Sequence, residues 1–130
     1  MAEVLVVDDD ADVCKLMTAV LSKAGHKVAT CASGTEALRD LGIEPDDASA
    51  GLPDLLVLDI MMPRPDGNTV ANVIRDHPRT RELPILVISA LKELRILGMT
   101  KARVDGFMVK PFDPDVLVGN VAKMLDRRGA

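Results

Sequence analysis

The chain contains no tryptophan and no tyrosine, and only two phenylalanines, Phe107 and Phe112. With hydrophobic residues at 48%, its interior must therefore be filled by aliphatic side chains. Positive charge is also in short supply. Lys and Arg number 16 against 20 Asp and Glu, for a net charge of −4, which argues against direct binding to nucleic acid or to an anionic membrane surface. No apolar run approaches the roughly 20 residues of a spanning helix. The first residues lead straight into a strand pattern rather than a leader, which sets the expectation of a cytoplasmic protein. Cysteine is nearly absent too. Cys14 and Cys31 are isolated, with no CxxC and no neighbouring histidine, so they read as small buried apolar residues in a reducing compartment and not as zinc ligands. No GxGxxG follows the first apolar run, which removes support for a dinucleotide site.

What is present is a set of short apolar runs that end in chemistry. Residues 55–58 (LLVL) are apolar without alternation and read as a strand buried on both faces. The run closes at Asp59, and the breakers Pro63, Pro65 and Gly67 then force a loop. A lone aspartate at such a position is ordinarily a turn former or a cap. Here a second run, Val4 to Val7, also ends in acid, at Asp8, Asp9 and Asp10. Asp10 suits the N-cap of the following helix, while Asp8 and Asp9 sit over the strand end. Two carboxylates about 4 Å apart repel by roughly 4 kcal/mol at an effective dielectric near 20. A hard cation such as Mg²⁺ relieves that repulsion. A third run, residues 84–88, ends at Ser89, and a fourth, residues 106–109, ends at Lys110 and Pro111. Acids, a hydroxyl and an ammonium gathered at strand ends suit a metal-bound phosphoryl group.

Taken in order, strands and helices alternate. A strand at residues 3–7 precedes a helix over 12–24, in which Val13, Leu16, Met17, Val20 and Leu21 recur at helical spacing before Gly25. A strand at 27–31 and a helix opening at residues 33–36 follow. Residues 42–53 are polar, acidic and rich in breakers, and so form a surface loop. After the strand ending at Asp59 come a helix over 67–76, a charged connector, and the strand that ends at Ser89. Residues 91–103 predict a short fourth helix weakened by Gly98. A last helix opens at Asp113-Pro114, with Val116, Leu117, Val121, Met124 and Leu125 at core spacing. Alternation with apolar strands predicts an α/β fold with a parallel, doubly wound sheet.

The segments VLVVDDD, LDIMMPRPDG, ILVISA and GFMVKPF, in this order and at this spacing, closely resemble the receiver domain of bacterial two-component response regulators, the family of the small chemotaxis regulator. The resemblance implies a flavodoxin-like sheet of five strands in the order 2-1-3-4-5, flanked by five helices. It also implies one receiver domain over residues 1–130, with no output domain in this chain. Two departures fall in the same place: the stretch between Ser89 and Lys110 is one residue short, and Arg103 stands where the family usually ends its fourth helix with glycine. Loop 42–53 is longer than is usual in receivers, as a tolerated insertion or as a partner contact.

By resemblance, Asp59 is the phosphoacceptor and Asp9 a direct Mg²⁺ ligand. Asp8 helps through water or as a second ligand, and the Met61 backbone carbonyl supplies a further metal oxygen. Lys110 pairs with phosphoryl oxygens, Ser89 is the switch hydroxyl, Phe107 the switch aromatic, and the Lys110-Pro111 peptide is cis. The implied function is acceptance of a phosphoryl group from a sensor histidine kinase or phosphotransfer protein. This would alter the surface of the fourth helix, fifth strand and last helix toward a downstream effector or an output domain, in a monomer or weak dimer that catalyses only its own phosphorylation and dephosphorylation. His26 and His77 lie in polar turns, unlike a phosphodonor histidine. Two rival readings stand beside this one: a receiver-like interaction module that works without phosphorylation, and a Mg²⁺-dependent phosphohydrolase acting on an outside substrate.

Overall fold

Three strands carry apolar side chains on both faces, so helices must cover both sides of any sheet they form. The computed structural model describes residues 2–90 and 103–129. Strands β1 (Glu3–Val7), β2 (Lys27–Cys31), β3 (Leu55–Asp59), β4 (Ile85–Ala90) and β5 (Gly106–Lys110) alternate with helices α1 (Ala11–Lys23), α2 (Gly34–Asp40) and α3 (Gly67–Asp76), and the chain closes on a helix here named α4 (Pro114–Gly129). The sheet is parallel throughout, in the order β2-β1-β3-β4-β5. Four helices stand among the described residues rather than the five expected. The helix expected over residues 91–103 falls almost wholly on residues 91–102, which lie outside the described part.

The two faces bury different halves of each strand, as the period of two requires. Leu5, Val7, Leu56, Leu58, Ile85 and Val87 pack with residues of α2 and α3. Val4, Val6, Leu55, Val57, Leu86 and Ile88 pack with residues of α1 and α4. The aliphatic core expected from the missing aromatics is what forms; Phe112 only borders it, and Phe107 is exposed. In α1 the buried positions are Cys14, Met17 and Leu21. Leu16, expected inward, is instead 48% exposed, and Val116 in α4 is 51% exposed. In α1 the buried stripe runs through Cys14, Met17 and Leu21, and Leu16 lies off it. No helix among the described residues is long and apolar enough to cross a membrane.

Local chemistry sets the helix starts. The Asp10 carboxylate accepts from the Asp12 and Val13 amides, Ser33 accepts from the Glu36 amide, and Asp66 accepts from the Thr69 amide, each satisfying donors that a first turn leaves open. Loop 42–53 lies on the surface but is fastened. Ile43 is buried and Leu52 packs against the core, Gly42 turns the chain at φ 73°, and Arg79 Nη2 donates to the carbonyls of Leu41, Gly42 and Asp47. Arg103 does not adopt a left-handed backbone; among the described residues only glycines have positive φ. Its side chain reaches Glu82 at 3.0 Å and Asp105 at 3.3 Å.

Candidate functional site

Because all five strands run parallel, their carboxyl ends share one edge, and there the register decides which side chains meet. Val7 pairs with Leu58, Asp59 with Ile88, and Ala90 with Lys110. One residue past β1, Asp8 therefore lies beside the end of β3, with Ser89 and Lys110 further along the same edge. Carboxylate oxygens of Asp8, Asp9 and Asp59 all lie within 4.8 Å of one another. Lys110 Nζ stands 2.9 Å from Asp8 Oδ2 and 3.4 Å from Asp59 Oδ2. Asp8 and Asp59 are 1% and 4% exposed, whereas Asp9 is open to solvent. Two buried carboxylates with one ammonium between them leave an excess of negative charge.

Backbone groups position these acids. The Asp10 amide donates to Asp8 Oδ1 at 2.9 Å, and the Met61 amide to Asp59 Oδ1 at 3.3 Å. Burial, and after it the neighbouring Asp8 charge, push the Asp59 carboxyl up to about 7, although Lys110 and the Met61 amide oppose the shift. Burial alone would lower Lys110. Its pairing with Asp8 and Asp59 outweighs that, and its pKa is raised, so it is an ammonium throughout the ordinary pH range.

The geometry fits a divalent cation. Three carboxylates converge, one ammonium stands against two of them, and hard oxygen donors of this kind suit Mg²⁺. Asp9, being exposed, is the acid best able to offer oxygens to an incoming ion, and Met61 is half-exposed on the loop after β3. Ser89 is fully buried, its hydroxyl donating to the Ala90 carbonyl at 3.1 Å. Phe107 on β5 is 54% exposed. The Lys110-Pro111 peptide is cis, as are Glu44-Pro45 and Arg64-Pro65.

Neither thiol belongs to this chemistry. Cys14 donates to the Asp8 carbonyl, and burial followed by the Asp8 charge raises its pKa. Cys31 lies against Asp40, and burial pushes it up to about 12. What the linear pattern did not reveal is the glycine packing behind the site. A Cβ on Gly67 would run into the Asp59 carbonyl and come 2.5 Å from Ile60 Cα. The only signal in the sequence was Gly67 itself, which read simply as a loop breaker.

This arrangement has close parallels. The family model for the response regulator receiver domain matches residues 4–122. The transcriptional regulatory protein PrrA of Mycobacterium tuberculosis is 40% identical over 129 residues, which is 98% of this chain and 51% of PrrA. The response regulator PleD of Caulobacter vibrioides is 36% identical over 125 residues, 95% of this chain and 26% of PleD. The chain thus spans about half or less of the length of these curated relatives. Among solved structures, a response regulator of Chloroflexus aurantiacus superposes with a TM-score of 0.84 at 36% identity, covering 96% of this chain and 98% of that one. The Vibrio cholerae chemotaxis protein CheY4 superposes at 0.77 with 27% identity, covering 95% and 98%. A family match over most of its length, on a five-stranded sheet that gathers three aspartates and a lysine at one edge, shows that this chain belongs to the response regulator receiver domain family.

Proposed function

We propose that this receiver accepts a phosphoryl group on Asp59 and uses it to change the surface it shows to a partner. The observation that carries the reading is the juxtaposition of Asp8, Asp9 and Asp59 within 4.8 Å, with Lys110 against two of the three. Asp8, Asp9, Asp59 and the Met61 carbonyl would hold Mg²⁺. When bound, the ion would keep the carboxylates ionised and neutralise charge on the phosphoryl oxygens.

The chain's own groups do the rest. An Asp59 oxygen attacks phosphorus, forming the O–P bond as the bond from phosphorus to the donor's imidazole nitrogen breaks, and the imidazole leaves with the electron pair. Lys110, already 3.4 Å from Asp59 Oδ2, pairs with the transferring oxygens. The acyl phosphate brings nearly two negative charges and strong acceptors. Ser89 exchanges its bond to the Ala90 carbonyl for one to a phosphoryl oxygen, and the exposed Phe107 ring turns into the space this opens. The donor is a phosphohistidine on a sensor histidine kinase or phosphotransfer protein of the cytoplasm, and the reader is an effector protein or an output domain. The chain catalyses its own phosphorylation and dephosphorylation and turns over no outside substrate.

Incubation with acetyl phosphate and Mg²⁺, read by intact mass, tests the reading. One phosphoryl group should appear on the wild type and none on Asp59→Asn. Equal labelling of the two would refute the assignment, and no labelling of either would favour an interaction module that works without phosphorylation.

A further inference from the structure

The loop that follows Asp59 has no helix or strand of its own until Asp66 caps α3, yet it carries Met61, whose carbonyl is assigned to the ion. Two glycines pack against it. Gly67 packs on the Asp59 and Ile60 backbone, and its amide donates to the Ile60 carbonyl at 2.9 Å. The other is Gly34, the first residue of α2, which is buried. A Cβ at position 34 would lie 2.7 Å from the Pro65 carbonyl oxygen, 2.8 Å from Pro65 Cγ and 2.6 Å from Val70 Cγ2. A carbonyl oxygen is backbone and cannot swing aside as a side-chain tip can. Any residue larger than glycine at 34 must therefore push the loop or move the helix.

We infer that Gly34 is a positioning residue for the proposed metal site: by letting α2 rest directly on Pro65, it sets the height of the loop between Asp59 and Gly67. The inference rests on the receiver reading above. Gly34 is 25 positions before Asp59 and has no side chain to offer, so its effect is entirely steric and entirely through the loop. Pro65 is two residues from Gly67, which abuts the Asp59 backbone, so displacement at Pro65 is delivered to both ends of the Met61 segment. Residues that orient metal ligands from behind typically change affinity by tenfold or more when altered.

The test is Mg²⁺ affinity measured by titration calorimetry, with thermal stability measured on the same samples. Gly34→Ala should weaken Mg²⁺ binding about tenfold. Val121→Ala, which leaves a hole in the core on the face of the sheet away from the loop residues Ile60 and Met62, should lower the melting temperature and leave Mg²⁺ affinity within about twofold. Gly119→Ala, where a Cβ meets nothing within 4 Å, should change neither. The double variant Gly34→Ala/Val70→Ala removes the clash with Val70 Cγ2, but the Pro65 carbonyl is still in the way. Its affinity should stay as low as that of Gly34→Ala. If either variant carrying Gly34→Ala binds Mg²⁺ as tightly as wild type, the role of Gly34 is packing alone and the inference fails. A wild type that takes up neither Mg²⁺ nor a phosphoryl group would instead remove the receiver reading, and this inference with it.

Discussion

Asp59 keeps its proton to about pH 7 because burial and the Asp8 charge both disfavour its anion. In the unfolded chain an aspartate titrates near 3.9. The native state therefore binds more protons between these values, and folding loses stability as pH rises from about 4 toward 7, with the full penalty present above that. Without metal, Asp59→Asn should match wild type in stability near pH 4 and exceed it at pH 8 by on the order of 4 kcal/mol. Urea unfolding in a chelator, run at both pH values, would show it, and a difference that stays flat with pH would contradict the raised pKa. The neighbouring acids separate by role in a similar way. Asp10 holds two amides of the first turn of α1, so Asp10→Ala should destabilise the fold by about 1 kcal/mol with little effect on Mg²⁺. Asp9, exposed within the cluster, should when changed to alanine leave stability nearly unaltered and weaken Mg²⁺ binding at least tenfold. A calorimetric titration giving similar losses for both would misplace the end of β1.

At the scale of elements, the end of the sheet away from the site depends on one arginine. Arg75, in the last turn of α3, donates from Nε to the Arg103 carbonyl at 2.7 Å and from Nη1 to the carbonyls of Arg81 and Leu83 at 3.0 and 2.7 Å. Its Nη2 reaches Asp105 Oδ2 at 3.0 Å, an oxygen that also accepts from the Ile85 amide. A single planar fork thus ties α3, through four acceptors, to the entrances of β4 and β5. Arg75→Ala should cost about 2 kcal/mol, because it removes the donor to backbone carbonyls at the strand entrances along with a half-buried ion pair. Arg75→Lys should recover little, since an ammonium cannot span the same acceptors. A loss under 1 kcal/mol in urea unfolding would show that these acceptors find water instead. The sequence marks this stretch only as a charged connector, because the partners that fix Arg75 and Glu82, Asp105 and Arg103, lie 30 and 21 positions further on.

For the molecule as a whole, the scarcity of aromatics becomes an experimental advantage. With two phenylalanines and no tyrosine or tryptophan, the aromatic proton spectrum can resolve Phe107 individually. Phe107 is more than half exposed, and the proposed switch turns it inward once Ser89 engages the phosphoryl group. Its ring resonances should shift and broaden on phosphorylation, and Ser89→Ala should accept the phosphoryl group while leaving Phe107 near its starting shifts. Unchanged Phe107 signals in the phosphorylated wild type would separate the phosphoryl chemistry from the surface change.

Which residues could form strands and what each strand ended in were properties of the sequence alone. Unbroken aliphatic runs at 55–58 and 85–88 admit only strands covered on both faces, and a parallel sheet then puts every run's last residue at one edge. That made Asp8, Asp9, Asp59, Ser89 and Lys110 legible as a group before any coordinate. The strand order came from the resemblance, since alternation of elements does not say which strand neighbours which. Only the tertiary structure decided that Leu16 faces solvent, that Ile43 and Leu52 anchor loop 42–53, that Arg103 turns without a left-handed backbone, and that Gly34 meets Pro65. Each of these is a contact between residues whose own neighbours in the chain carry no trace of it. Periodicity records which face of an element is apolar, and close packing alone determines what that face, or a bare glycine on it, is pressed against.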